Sequence, residues 1–426
     1  MREDVKKRIE QVQIGKIPTG YIQNSYHTYP DSWRFSKLNS VLTENKDRNE
    51  NELFSKADVL SVSGEFGVLN QIEFMGRSYA GKSVIDYHIV EAGDIVYTKS
   101  PLKANPYGII KLNRGGAGIV STLYAVYHCN NRVTGEYLDF YFQLDNYLNN
   151  YLYPLVKKGA KNDMKVNNSD VLKGKIAFPS LAEQEKIVEI LNHCDKVIEL
   201  KQQFIEEERR RKKWLTQNLF DPESGIRLSD FEDEWQNERL GMVCETIGGG
   251  TPSTSRSDYW TGDTAWISST DVIDGDIYHI YPTRYITEKA IASSATQICP
   301  KGSILVVSRV GVGKLAIAPC SLCTSQDFTN LVNIKCDALF LALQLQRILQ
   351  KIKTQSQGTS IKGITVKEIK MLAIALPSLD EQLVIANIIS SQDKKINNLE
   401  QELNQWQQKK KSLMQLLLTG LVRVSV

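Results

Sequence analysis

The sequence predicts an α+β protein in which two similar mixed domains alternate with two long helices, the whole built on an internal pseudo-twofold repeat. Three observations carry this. Pro179-Ser180-Leu181-Ala182-Glu183-Gln184 opens a run ending near Phe220, and Pro377-Ser378-Leu379-Asp380-Glu381-Gln382 opens a partner run ending near Leu418, 198 positions later. At that one offset Ile187 matches Ile385, Asp195 matches Asp393, Gln203 matches Gln401, Lys212 matches Lys410 and Leu219 matches Leu417, a gap-free match that marks a duplication. Each run also carries a seven-residue apolar repeat over several turns, the signature of a coiled coil.

The elements follow in chain order. A short basic helix, Arg2 to Gln13, leads into a Gly/Pro/Tyr-rich connector, so residues 1–30 form an N-terminal appendage. Residues 31–178 form the first mixed domain, with strands expected over Ala57 to Val62 and Gly93 to Tyr97 and a closing helix over Glu136 to Leu155. The first long helix occupies 179–224. Its seam reads Ile187, Leu191, Cys194, Ile198, Lys201, Ile205, Glu208, Lys212, Leu215, Leu219. Residues 225–376 repeat the domain plan, with strands over Thr264 to Ile267 and Gly302 to Val307 and a closing helix over Asp337 to Ile352. The second long helix, within 377–426, gives Ile385, Ile389, Gln392, Ile396, Leu399, Leu403, Trp406, Lys410, Leu413, Leu417 in the same register. Lys212 and Lys410 fall on the seam, where a polar residue either fixes register or reaches its ammonium out to water. The second outcome is expected.

At 426 residues the chain is too long for one ordinary core, and 42% hydrophobic content is enough for two. The start MREDVKKRIEQ is charged, and no stretch approaches eighteen apolar residues, so a cytoplasmic protein with no membrane association is expected. Seven cysteines at irregular spacing read as reduced thiols; Cys320 and Cys323 form a lone CxxC, a weak zinc signal. Net charge is only +3, yet it is segregated alike in both domains. Asp31 to Thr98 carries about −4 and Lys99 to Lys175 about +6; Gly225 to Thr283 carries about −8 and Arg284 to Lys370 about +8. A basic side on each domain is what a phosphate-binding face requires.

Strings that imitate catalytic motifs are defective. Asn105-Pro106-Tyr107-Gly108 lacks the second proline of a base-holding methyltransferase loop. Gly311-Val312-Gly313-Lys314 resembles a phosphate loop but has Leu315 where the Mg²⁺-binding hydroxyl belongs. Asp31 with Glu44-Asn45-Lys46 spells a nuclease pattern of low specificity, and its triplet is absent from the second copy. No catalytic residue, metal site or directly bound cofactor is assigned.

DNA contacts are placed where basic and small residues leave strand ends or turns. In the first domain these are Lys99 and Ser100, then Lys111, Arg114 and Lys161. In the second, Gly249, Gly250, Thr251 and Ser253 form a turn whose N–H groups could approach phosphate, followed by Arg256. Arg309 leaves the strand Ile304 to Val307 as Lys99 leaves Ile95 to Thr98, and Ser269, Lys314 and Lys362 complete the set.

Taken together, PSLxEQ opening each long helix, the GGGTPS turn with Tyr259-Trp260 and Trp266 behind it, Ser325-Gln326-Asp327 and the Lys/Leu-rich close Lys409 to Gly420 resemble the specificity subunits of type I restriction–modification systems. The resemblance covers nearly the whole chain. It implies two target-recognition domains, separated by two long helices forming an antiparallel coiled coil as spacer. It also implies a non-catalytic reader of double-stranded DNA at a bipartite site. The implied partners are two methyltransferase subunits, which carry S-adenosylmethionine and methylate adenine, and restriction subunits in the full complex. The first domain departs from the pattern: Leu102 to Tyr107 stands where the second has Gly311 to Gly313, and no GGTPS occurs. A helix of roughly 38 residues is about 57 Å long, some 17 base pairs of duplex, so the helices would act as a ruler. The competing readings are a stand-alone nuclease or fused methyltransferase, which needs an intact motif, and a structural coiled-coil scaffold, which predicts no salt-dependent DNA affinity.

Overall fold

The computed structural model describes residues 3–24, 28–158, 164–355 and 363–425. It divides into two compact units, Met1–Gln202 with Glu402–Val426, and Gln203–Gln401. Each unit therefore takes in one globular segment and one half of each long helix.

In the first unit the helix α1 (Glu3–Gln13) precedes β1 (Arg34–Lys37), β2 (Leu42–Asn45), β3 (Ile95–Thr98), β4 (Ile109–Leu112) and β5 (Tyr124–Cys129). Next come α2 (Gly135–Gln143), α3 (Asp145–Leu152), β6 (Lys175–Phe178) and the first long helix, α4 (Leu181–Leu219). An antiparallel sheet of order β2-β5-β3-β4 forms the centre, and β1 pairs with β6 at its flank. Strands β3 and β4 are buried at every position. Tyr97, Tyr137, Phe140 and Phe142 fill the core beneath α2. Three of the buried or half-buried phenols have backbone acceptors: Tyr97 donates to Tyr107 O (2.8 Å), Tyr127 to Asn168 O (2.8 Å) and Tyr151 to Val171 O (2.6 Å), whereas the Tyr137 hydroxyl has no partner among the described residues.

Two expected elements are corrected. The closing helix over Glu136 to Leu155 is two helices, because Leu144 adopts an extended backbone (ψ 103°) between them. The break turns Phe142 and Tyr151 onto each other, ring centroids 5.1 Å apart. The strand expected from Ala57 begins only at Leu60, since Ser55 and Asp58 cap each other's backbone and wind Lys56–Asp58 into a 3₁₀ turn.

The second unit repeats the plan with β7 (Gln236–Arg239), β8 (Glu245–Gly248), β9 (Thr264–Ile267), β10 (Arg284–Ile286), β11 (Ile298–Cys299) and β12 (Ile304–Val307). They are followed by β13 (Leu315–Ile317), β14 (Leu322–Thr324), β15 (Phe328–Val332), α5 (Ala338–Gln355), β16 (Ala373–Leu376) and the second long helix, α6 (Leu379–Leu418). The central sheet runs β8-β15-β12-β13, the same order of equivalent strands, and β7 pairs with β16 as β1 does with β6. A second sheet, β10-β9-β14-β11, contains the parallel pair β9–β14. The first unit keeps a reduced form of it: the ladders Leu60–Ser63 with Gly67–Asn70 and His88–Val90 with Gly118–Val120, joined by a parallel bridge between Val59 and Ile119.

The two long helices run antiparallel. Lys201 pairs with Glu402 (2.6 Å) in the first unit and Arg209 with Glu400 (2.6 Å) in the second. Every expected seam position is buried or half-buried, while the off-seam Leu200, Phe204 and Trp214 are exposed. The expectation for the seam lysines is overturned. Lys212 meets Asp393 and Lys410 meets Asp195, each at 2.5 Å, so the ammonium groups turn across the pair instead of out to water. The two bridges are images of each other under the 198-residue offset.

The repeated PSLxEQ string has a local cause in both units. The Ser180 and Ser378 hydroxyls accept from the N–H groups of Glu183 and Glu381, which is N-capping. The buried Gln184 accepts from Thr134 N (3.1 Å) and donates to the carbonyls of Arg132 and Pro179. Gln382 accepts from Asp337 N (3.0 Å) and donates to Pro377 O. Thr134 and Asp337 are themselves the caps of α2 and α5, so each glutamine fastens the closing helix to the start of the long one. The buried carboxylates of Glu183 and Glu381 take bidentate contacts from Arg423 and Arg227, which lie just past the ends of α6 and α4. Helix α1 rests at the end of α6, where Arg8 donates to Leu421 O and Tyr21 to Gly420 O.

Six of the seven thiols are buried or half-buried, and Cys320 alone is exposed. Burial pushes Cys129, Cys299 and Cys336 up to about 12. A thiol reagent at pH 8 is therefore expected to consume one thiol per native chain quickly and the others only on unfolding, because the thiolate is the reacting form. Fast release from three or more thiols would contradict this packing. Among the described residues no group of three His, Cys, Asp or Glu could hold a metal, and no helix is long and apolar enough to cross a membrane.

Candidate nucleic-acid interface

In the second unit three strings singled out in the sequence converge. A cleft of about 560 Å³ is lined by Gly248 and Gly249 from the end of β8, Ser308 and Arg309 from the exit of β12, Gln326, and Gly363 to Val366. The turn after β14 organises it. Ser308 N and Arg309 N donate to Asp327 O (2.8 and 3.3 Å), and Ile364 N donates to Ser308 O (2.7 Å). Arg309 is exposed and its guanidinium has no ion pair among the described residues.

The glycines act differently from the expectation. A Cβ on Gly249 would sit 2.0 Å from Ser325 O, and one on Gly250 2.5 Å from Thr296 N, so both are present for close backbone packing. Gly250 donates its N–H to Thr324 O (2.8 Å) and is buried, so that group is already engaged and does not face a phosphate. Two tryptophans hold the turn from behind. Trp266 Nε1 donates to Gly250 O (2.8 Å), Trp260 Nε1 to Ser253 O (3.1 Å), and the rings meet edge to face at 5.1 Å. Thr251 bonds Gln326 through its hydroxyl, while Ser253 shares a bond with Ser255 (2.8 Å). Both lie exposed on the rim.

The remaining candidates separate. Arg256 makes a bidentate pair with Asp258 (2.9 and 2.8 Å) and lies over the Tyr259 ring. Lys314 donates to the carbonyls of Ser269 (3.2 Å) and Val272 (3.0 Å), which ties the β12–β13 turn to the 3₁₀ turn Ser269–Asp271. Ser269 is buried. Lys161 and Lys362 lie outside the described residues.

In the first unit Lys99 and Ser100 leave β3, the strand that occupies in its sheet the place of β12. Lys99 is half-buried, and burial holds its ammonium below the ordinary lysine range, with Glu44 opposing; Ser100 is exposed. The positive φ that Gly311 (+88°) and Gly313 (+95°) supply after β12 is supplied after β3 by Gly108 (+92°), whose Cβ would stand 2.1 Å from Thr98 O. The glycine-poor turn is thus a different solution to the same chain reversal. Lys111 points into a cavity of about 560 Å³, 7% exposed, with burial lowering its pKa and Asp139 the largest opposing charge. Arg114, at the cavity mouth, is paired with Asp139 (3.1 Å).

The defective motifs have structural roles. Asn105 donates to Asp145 (2.9 Å), and Glu44 accepts from Asn168 (2.9 Å). What the sequence did not reveal is the engagement of Arg256, Arg114 and Lys314. It also hid the tryptophan N–H bonds, for which the spacing of Trp260 and Trp266 behind a glycine turn was the one available signal.

The family model described as "Type I restriction modification DNA specificity domain" matches residues 30–208 and again 232–407. The specificity subunit of the type I restriction enzyme MjaIX from Methanocaldococcus jannaschii is 35% identical over 172 residues, 39% of this chain and 39% of that one. The putative MjaX specificity subunit of the same organism is 27% identical over 69% of both chains. The chain thus spans well under half of the first relative. The S subunit of a type I restriction–modification system from M. genitalium superposes with a TM-score of 0.56 at 14% identity, over 93% of this chain and 97% of that one, a likeness of fold.

Proposed function

The chain belongs to the type I restriction–modification DNA specificity family, and from that premise we propose that it is the DNA-reading subunit of such a complex. Each unit reads one half of a bipartite duplex site, and the paired helices α4 and α6 set the unread gap. Two methyltransferase subunits dock on the helical part and α1, carry S-adenosylmethionine and methylate one adenine per strand. Restriction subunits join in the full complex. This subunit supplies no catalytic group of its own.

The observation that carries the reading is the repetition of one arrangement in two divergent domains. A basic residue beside a small hydroxyl residue, Lys99-Ser100 and Ser308-Arg309, leaves the equivalent strand of the equivalent sheet in each unit. A scaffold without DNA has no need of that match, and a stand-alone enzyme needs motifs that are incomplete here, with Asn105 and Glu44 bonded to Asp145 and Asn168.

Arg309 provides the test. In the complex co-purified with its methyltransferase partner, Arg309→Ala should weaken binding to duplex and lower the slope of log K against log salt by about one. Arg256→Ala, whose guanidinium is already neutralised by Asp258, should change the slope much less. An unchanged slope for Arg309→Ala would remove the β12 exit from the interface.

A further inference from the structure

The hairpin Leu60–Ser63 with Gly67–Asn70 and the helix Gln71–Met75 after it leave a group of large apolar side chains in water. Phe66 is 56% exposed, Phe74 45% and Met75 48%, and the two phenyl rings touch at 5.5 Å between centroids. That helix buries none of its residues. A cluster of this kind, kept exposed at the cost of its hydration, marks a surface that meets something.

The tip is held rigidly. Asn70 caps the helix by accepting from Ile72 N and Glu73 N, and Gly76 ends it in the left-handed conformation. Gln71 ties the helix to both neighbours, donating to Ser61 Oγ (2.9 Å) and accepting from Tyr79 N (2.5 Å). The contact between Gly64 and Leu102, where a Cβ would stand 3.7 Å from the leucine methyl, sets the tip beside the loop that Lys99 and Ser100 begin.

We infer that Phe66 and Phe74 form an apolar reading tip that packs against base edges of the first half-site; this rests on the DNA-reading function proposed above. The charges around the tip are of both signs: Glu65 and Glu73 are exposed beside the two phenylalanines, while Arg77 stacks over the Tyr79 ring and Lys103 follows Leu102. The tip would therefore meet bases through its rings and not through phosphate charge.

The difference between the two units chooses DNA over a protein partner. In the second unit the equivalent hairpin, β9 with β10, is joined by the long connection 268–283. The helix after it, Glu288–Ala292, buries Ala290 beside Trp266. The framework recurs and the tip does not. A partner that docks in two copies requires the same surface on both units, whereas reading two different half-sites requires surfaces that differ at equivalent places.

The test uses the complex with its methyltransferase partner and two duplexes, one with both half-sites and one with the first half-site scrambled. Phe66→Ala with Phe74→Ala should bind the intact site about tenfold more weakly and the scrambled site unchanged, and Phe66→Tyr with Phe74→Tyr should retain most of the affinity. Unaltered affinity for the intact site would overturn the inference, as would an equal loss on both duplexes. Loss of methyltransferase co-purification would also overturn it, by assigning the patch to protein docking. If the wild-type complex itself does not distinguish the two duplexes, half-site reading fails and the tip falls with it.

Discussion

Deleting the facing heptads Leu200–Glu206 and Asn398–Asn404 together is expected to shorten the unread gap by about three base pairs and leave both half-sites unchanged. Seven residues of helix are about 10 Å, and a base pair rises about 3.4 Å. A whole heptad is required because it returns the seam to the same face; removing three or four residues would rotate the apolar stripe away from its partner. The choice of residues follows from the antiparallel register. Lys201 faces Glu402, so the two deleted segments oppose each other, and the bridges Lys212 with Asp393 and Asp195 with Lys410 survive outside them. Mapping methylated adenines for the double deletion reads the outcome. A gap that stays constant would refute the ruler, and altered half-sites would show that the helices shape the recognition surfaces.

Gln184→Leu is expected to destabilise the first unit by about 3 kcal/mol, and Gln382→Leu the second by a similar amount. Leucine removes the partner of the part-buried Thr134 N–H and Arg132 carbonyl and leaves the Pro179 carbonyl buried and unpaired, the last costing on the order of 1–3 kcal/mol and the other two less. The long-helix ends are where the closing helices are fastened, so the loss should be felt by the whole unit. A melting transition measured against the exposed-site control Gln202→Leu checks it; a shift no larger than the control would mean that Gln184 is dispensable to the clamp. The two variants separately should each lower one of two transitions if the units unfold independently.

The fold is most legible in the sequence where a signal repeats. The two long helices and their seam were legible because heptad spacing and the 198-residue offset agreed independently, and the burial of Ile187, Leu191, Ile385 and Ile389 follows that pattern. Strands β9 and β12 lie where apolar runs between turn residues placed them. The break in the closing helix of the first unit is hidden in the sequence because Leu144 continues the apolar pattern across it and only its backbone conformation reveals it. Side-chain engagement was illegible for a different reason. Whether an arginine is without an ion pair among the described residues, like Arg309, or neutralised, like Arg256 by Asp258, depends on which carboxylate the fold brings within 3 Å. The seam lysines teach the same lesson. A lysine stem long enough to reach water is also long enough to reach an aspartate on the opposite helix, and the duplication ensured that both did so.

The central claim is tested most directly by co-expressing the chain with its candidate methyltransferase partner in a methylation-free host and mapping modified adenines across the genome. The account predicts a single two-part motif, one modified adenine on each strand and a gap of fixed length. A stable, DNA-binding complex that yields no motif, or one contiguous motif without a gap, would contradict it.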